Sequence, residues 1–176
     1  MADITKVLLD DHLRLKRLLT TYEQSPWRLD LALAVCDELN MHSTIEEEIF
    51  YPAVRDVVDG RLADESEDEH AQISEIIAAV EDMEPGDPAL ERTMRMLRVA
   101  LTSHIDKEEK VVFPKADVEL ADELRDMGRE AFARRQELMA ARNDEAWLPK
   151  HGVPGMANTG WRGMGKVKSA SANMGW

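Results

Sequence analysis

The stretch His42-Ser43-Thr44-Ile45-Glu46-Glu47-Glu48-Ile49-Phe50-Tyr51-Pro52 decides how the rest of this chain is read. It recurs 62 positions later as His104-Ile105-Asp106-Lys107-Glu108-Glu109-Lys110-Val111-Val112-Phe113-Pro114. Each copy is a His, three residues, a Glu-Glu pair, three residues, an aromatic and a Pro. On a helix, a His and a Glu four apart lie one above the other on one face. An imidazole nitrogen and a carboxylate oxygen placed so can grip one metal centre, and the repetition suggests two metal ions.

Both pairs sit where core residues belong. One stripe runs Ala32, Val35, Leu39, His42, Glu46, Ile49, Ala53; the other runs Met94, Leu97, Leu101, His104, Glu108, Val111. These are heptad-type seams in which a His and a Glu replace two apolar residues. An ionised carboxylate there is costly unless it is paired or bound to a metal. Two further stripes each hold one imidazole: Ile4, Leu8, His12, Leu15, Leu19, Tyr22, and Leu62, Ser66, His70, Ile73, Ile77, Val80. A single His on an apolar face usually marks a satisfied core residue. Four of the chain's five histidines on four stripes, with two seam glutamates, favour a metal centre. His151 lacks such a context.

The punctuation between stripes predicts an all-α protein. Helices are expected at about 3–22, 27–51, 61–83, 88–113 and 118–142, the last running through Leu120, Leu124, Met127, Phe132 and Leu138. Ser25-Pro26, Pro52, Glu84-Pro85-Gly86-Asp87-Pro88 and Pro114 separate them, and Pro52 should kink or end its helix and leave a short turn to Asp59-Gly60. Short links make neighbours antiparallel, so the expected fold is an up-down-up-down four-helix bundle over residues 1–148, with an additional C-terminal helix. The repeat reads as a duplicated hairpin that loosens on helices 1 and 3, because His12 shifted by 62 reaches Ser74 and not His70. Residues 149–176, rich in Gly with scattered Lys and two Trp, read as a basic flexible tail whose partner the sequence does not name.

Composition narrows the function. The net charge is −13, and since residues 149–176 hold four of the 22 bases and none of the 35 acids, the first 148 residues carry −17. Such a surface repels nucleic acid and anionic lipid. No apolar run is long enough to span a membrane. The lone Cys36 forms no intramolecular disulfide or CxxC site, and no signal peptide is visible at the start, so the expected address is the cytoplasm.

Four imidazoles and two carboxylates without thiolate suit iron, manganese or zinc. A ferritin-like centre needs Glu-x-x-His on two helices, and only Glu67 to His70 qualifies; Leu39 and Leu101 precede the other two. The order Asp11-His12, His42-x-x-x-Glu46-Glu47, Glu69-His70, His104-x-x-x-Glu108-Glu109 instead resembles the hemerythrin-like (HHE cation-binding) family over about residues 5–115. The resemblance implies an up-down bundle holding two non-haem irons with a bridging oxygen, Glu46 and Glu108 as bridging carboxylates, and His12, His42, His70 and His104 as terminal ligands. Oxygen-carrying members have His-x-x-x-His on the third helix and a His followed by an Asp on the fourth, whereas here position 74 is Ser and the fourth helix has His-x-x-x-Glu. The chain is more similar to a divergent branch found in mycobacteria and related actinobacteria. That likeness implies small-molecule partners: reaction with hydrogen peroxide (catalase-like) or with nitric oxide, peroxide serving as oxidant.

Tyr51 is the candidate for the missing ligand or for a channel gate, with an aromatic that closes the end of the bundle as the alternative. An ideal helix puts it about 140° round from Glu46, so ligation requires a deformation before Pro52. Glu47 and Glu109, one step off the seam, are either solvated or partners of a ligand imidazole. Two rival functions remain: a carrier or sensor of oxygen or iron, and a metal-free helical interaction module. The last would need Lys or Arg opposite Glu46 and Glu108, and the stripes contain none.

Overall fold

The computed structural model describes residues 2–143; the tail expected from 149 onward lies outside them. Among the described residues, seven α-helices and three π-helical turns line up end to end as five rods. The first rod is α1 (Ile4–Glu23) and the second joins α2 (Leu29–Ile45), a π-turn (Glu46–Phe50), α3 (Tyr51–Ala53) and a second π-turn (Val54–Val58). The third is α4 (Gly60–Glu81), and the fourth joins α5 (Leu90–Lys107), a π-turn (Glu108–Val112) and α6 (Phe113–Glu119). The fifth is α7 (Leu124–Asn143), and no strand occurs among the described residues. The chain is all-α, a bundle of antiparallel helices with an added C-terminal helix.

Local chemistry sets the starts. The Asp3 carboxylate accepts the Lys6 N–H at 2.9 Å and caps α1; Asp59 accepts the N–H groups of Arg61 and Leu62 and caps α4. Arg28 is extended after Pro26, which delays α2 to Leu29 and leaves Trp27 exposed. Gly86 takes a φ of 91° in the turn before α5, and among the described residues only there does the backbone demand glycine's freedom.

The two prolines do not end their rods. Each follows a π-turn by one residue: the Tyr51 N–H bonds the Glu46 carbonyl and the Phe113 N–H bonds the Glu108 carbonyl, five residues back in both cases. A π-turn admits one extra residue, and the wider turn relieves the collision between a proline ring and the carbonyl four residues earlier. The turn expected at residues 52–59 is therefore helical up to Val58. The extra residue also advances the seam by one position. Val112 is buried and Val111 is 39% exposed, the reverse of an uninterrupted helix, and Phe50 and Val54 join the core beyond Ile49 and Ala53.

Two apolar clusters fill the bundle. One gathers Leu15, Leu19, Val35, Leu39, Ile73, Ile77, Leu97 and Leu101; the other gathers Ile4, Leu8, Phe50, Val54, Leu62, Val112 and Phe113. Late α1 meets early α2, late α4 and early α5, as an antiparallel up-down-up-down order requires. On the first four rods the four histidines and two glutamates of the seams lie where one cluster gives way to the other. Burial of these clusters supplies the stability that a polar middle layer does not.

The rod α7 packs along α1 and α2. A Cβ on Gly128 would come within 2.2 Å of the Ala2 carbonyl oxygen, so glycine is what lets α7 meet the start of α1. Leu120, Leu124, Met127 and Ala131 face the bundle, but Phe132, expected in the apolar stripe, is 51% exposed and Arg135 is buried instead. The helix also starts at Leu124, not 118, because Leu120–Glu123 forms a turn after α6.

Candidate metal centre

His12, His42, Glu46, His70, His104 and Glu108 are all buried, none more than 1% exposed. The Nε2 atoms of the four rings point at the two carboxylates. His42 Nε2 lies 3.1 Å from Glu46 Oε2, and His70 Nε2 lies 3.3 Å from the same oxygen. Across the layer, Glu108 Oε2 is 3.2 Å from His12 Nε2 and 3.3 Å from His104 Nε2. Two groups could each hold an ion: His12, His42, Glu46 and Glu108 offer atoms within 4.8 Å of one another, and so do Glu46, His70 and His104. Glu46 belongs to both.

Tyr51 joins them through its hydroxyl, which donates to Glu108 Oε1 at 2.9 Å and lies 3.3 Å from both Glu46 Oε2 and His70 Nε2. The π-turn explains the position. Five residues span one π-turn as about four span an α-turn, so Tyr51 stands over Glu46 and not 140° away. Phe113 repeats the placement on the fourth rod and stacks on His12, ring centroids 5.5 Å apart.

The outer edge of each ring faces a second carboxylate, always from a neighbouring rod. Glu109 meets His12 Nδ1 at 3.0 Å, Glu47 meets His70 Nδ1 at 2.9 Å, and Glu69 meets His104 Nδ1 at 2.9 Å. Asp11 stands 3.7 Å from His42 Nδ1. Each acid thus faces the next rod's imidazole, three of them within hydrogen-bond distance and Asp11 beyond it. Carboxylates here hold the proton on Nδ1, which turns the Nε2 lone pair inward and fixes the ring.

The donor set fits a cation. His70 and His104 bring two Nε2 atoms to 3.1 Å, and the buried His12 Nε2, His42 Nε2, Glu46 Oε1 and Glu108 Oε2 have no hydrogen-bond partner among the described residues. Acceptors crowd a space into which the Tyr51 hydroxyl donates, a situation that dehydrated carboxylates tolerate poorly unless a cation or protons offset it. Neither Glu46 nor Glu108 meets a Lys or Arg among the described residues, which removes the basis for a metal-free interaction module. Without metal the rings compensate. Burial opposes charge on His42, but Glu46, Asp11 and Glu108 outweigh it and raise its pKa to about 10. His104 is raised too, burial being overcome by Glu108, Glu46 and Glu69; Glu46 is held well below the usual carboxylate range against its burial by His42, His104 and His70. Burial, then Glu46 and Glu108, push the Tyr51 phenol well up.

The family model of the hemerythrin HHE cation-binding domain matches residues 3–116. The chain belongs to that family. Its helices α1 to α6 make up the hemerythrin HHE domain apart from the last residues of α6, and α7 lies beyond the match. A curated protein called a DNA nickase, from Nostoc sp., is 25% identical over 114 residues, which cover 63% of this chain and 32% of that protein. The chain thus spans about a third of that relative's length. No solved structure matches the chain.

In this HHE domain all six side chains expected at the centre converge, and Tyr51 with them. Ser74, which stands where an oxygen carrier would have a second imidazole, is exposed; the group that reaches His70 there is the Tyr51 hydroxyl. Glu47 and Glu109 serve as partners of imidazoles. The sequence reading assigned no role to Asp11, Glu69, Glu38 or Arg135. The signal for two of them was present, since Asp11 and Glu69 each precede a seam His and therefore flank the ligand face of their helix.

Proposed function

We propose that the protein is a non-haem di-iron hemerythrin-like protein that reacts with hydrogen peroxide, nitric oxide or both, in defence against oxidative and nitrosative stress in the cytoplasm. His12 and His42 would hold one iron and His70 and His104 the other, Glu46 and Glu108 would supply carboxylate oxygens, and Tyr51 would act as a ligand or gate. The observation that carries this reading is the convergence of four imidazole nitrogens and two carboxylates on a buried layer to which the Tyr51 hydroxyl donates. A bound pair of irons would supply electrons to the oxidant, while the chain's residues would orient it, exclude water through two apolar clusters, and offer a proton at Tyr51 Oη. Reversible oxygen carriage fits less well, because a phenol and not an imidazole adjoins His70. Nicking of DNA, the activity in the relative's name, is not carried over: a chain of net charge −13 has little affinity for a polyphosphate.

The test is to purify the full chain, measure iron and the optical spectrum, then add peroxide and follow oxygen evolution, and add nitric oxide with peroxide. Two irons per chain with an oxo-to-iron band in the near ultraviolet, and turnover of either substrate, are expected. Colourless, iron-free protein from iron-rich medium would sink the reading.

A second reading, a carrier or sensor of oxygen or iron without turnover, draws on the two wholly buried carboxylates at the centre. Removing iron leaves them balanced by protonated imidazoles alone. A large iron-dependent change in melting with no turnover would select it.

A further inference from the structure

Three of the four imidazoles have a carboxylate within hydrogen-bond distance of Nδ1, and His42 does not. Its Nδ1 is 3.7 Å from Asp11 Oδ2. That same oxygen is taken by the guanidinium of Arg135, on α7. Arg14 holds the other oxygen of Asp11 at 2.8 Å, and Glu38 completes the group, 2.8 Å from Arg14 Nε and 3.3 Å from Arg135 Nη1. Asp11 and Glu38 are buried and Arg135 is 9% exposed behind His42, while Arg14 closes the group from the solvent side. By contrast Glu109 and Glu69 meet Lys16 and Lys107 and still keep their imidazoles at 3.0 and 2.9 Å.

A metal-ligating imidazole is more basic and better oriented when a carboxylate holds its outer N–H, and loss of that partner typically costs about 10–100-fold in metal affinity. His70 and His104 are both backed in this way; of His12 and His42, only His12 is. We propose that Arg135 draws Asp11 off His42 and so makes the His12–His42 position the second and weaker of two metal positions. The proposal rests on the two-metal reading above. It assigns a positioning role to α7, a helix outside the matched family segment.

The test titrates the metal-free full chain with zinc(II), which keeps one oxidation state, by calorimetry against a competing chelator. Wild type should bind two ions in steps at least about tenfold apart. Glu69→Gln should weaken the tighter step by about 10–100-fold, while Asp11→Asn should move the weaker step by less than about threefold, because Asp11, held by Arg14 and Arg135, stands 3.7 Å from His42 Nδ1. Arg135→Met frees Asp11 Oδ2 for His42 and should tighten the weaker step by about tenfold or more. Should that variant fail to fold, the comparison of Asp11→Asn with Glu69→Gln decides alone. Steps of equal affinity, an Asp11→Asn loss as large as that of Glu69→Gln, or a Glu69→Gln effect on the weaker step overturns the proposal and leaves the two-metal reading standing. Binding of no ion, or of one, overturns both.

Discussion

The hydroxyl of Tyr51 on the second rod donates to the carboxylate of Glu108 on the fourth at 2.9 Å, across the middle of the bundle. Two residues 57 apart meet there only because a π-turn carries Tyr51 over Glu46. Replacing Tyr51 by Phe keeps the ring's volume and removes one buried donor to a charged acceptor. The metal-free variant should lose about 1.5–3 kcal/mol in urea denaturation. If Tyr51 ligates iron, the loaded wild type shows a tyrosinate band in the visible that Tyr51→Phe lacks; an unchanged band would assign Tyr51 to packing.

The π-turn at Glu108–Val112 makes neighbouring valines unequal. Val111→Asp, on the outside, should change stability by no more than about 0.5 kcal/mol. Val112→Asp places a carboxylate against Phe50 and Phe113 in the lower core and should cost several kcal/mol or prevent folding. Equal effects from the two would mean an uninterrupted α-helix in this segment.

Metal uptake should release protons. In the metal-free fold His42 is raised from 6.5 to about 10 and His104 is raised as well, while Glu46 and Glu108 are lowered, directions that favour charged rings beside ionised carboxylates. The sign follows directly: the stability that His42 gains from its acidic neighbours is complete below about pH 6.5 and is lost as pH rises through about 10. A cation must displace those protons, and affinity should therefore rise with pH. A pH indicator in weak buffer should register about two protons per fully loaded chain. No release at neutral pH would show that the rings are neutral before binding.

Withdrawal of metal should lower the melting temperature. For a single site, metal at 100 times its dissociation constant stabilises by about 2.7 kcal/mol. Each metal-bound chain also relieves the acceptor crowding around Glu46 and Glu108. Differential scanning calorimetry with and without chelator measures this, and coincident melts would argue that the centre is empty under those conditions.

From the sequence alone came the element type, the antiparallel order and the six side chains at the centre. The reason is physical: a His or Glu in an apolar seam is conspicuous, because periodicity assigns its face and burial makes its charge costly. Periodicity also failed in an instructive place. It assumes 3.6 residues per turn, so it put Val111 inside and left Tyr51 undecided, whereas the extra residue before each proline moved the seam to Val112 and brought the phenol to Glu108. What only tertiary structure decided is which acid serves which ring and what holds that acid. Asp11 precedes His12 in the chain yet faces His42, and its guanidinium partner Arg135 lies 124 residues away on a helix whose apolar pattern points to Phe132 instead. Pairings of this kind depend on how rods are rotated against one another, and rotation is settled by packing, as where Gly128 lets α7 touch the start of α1.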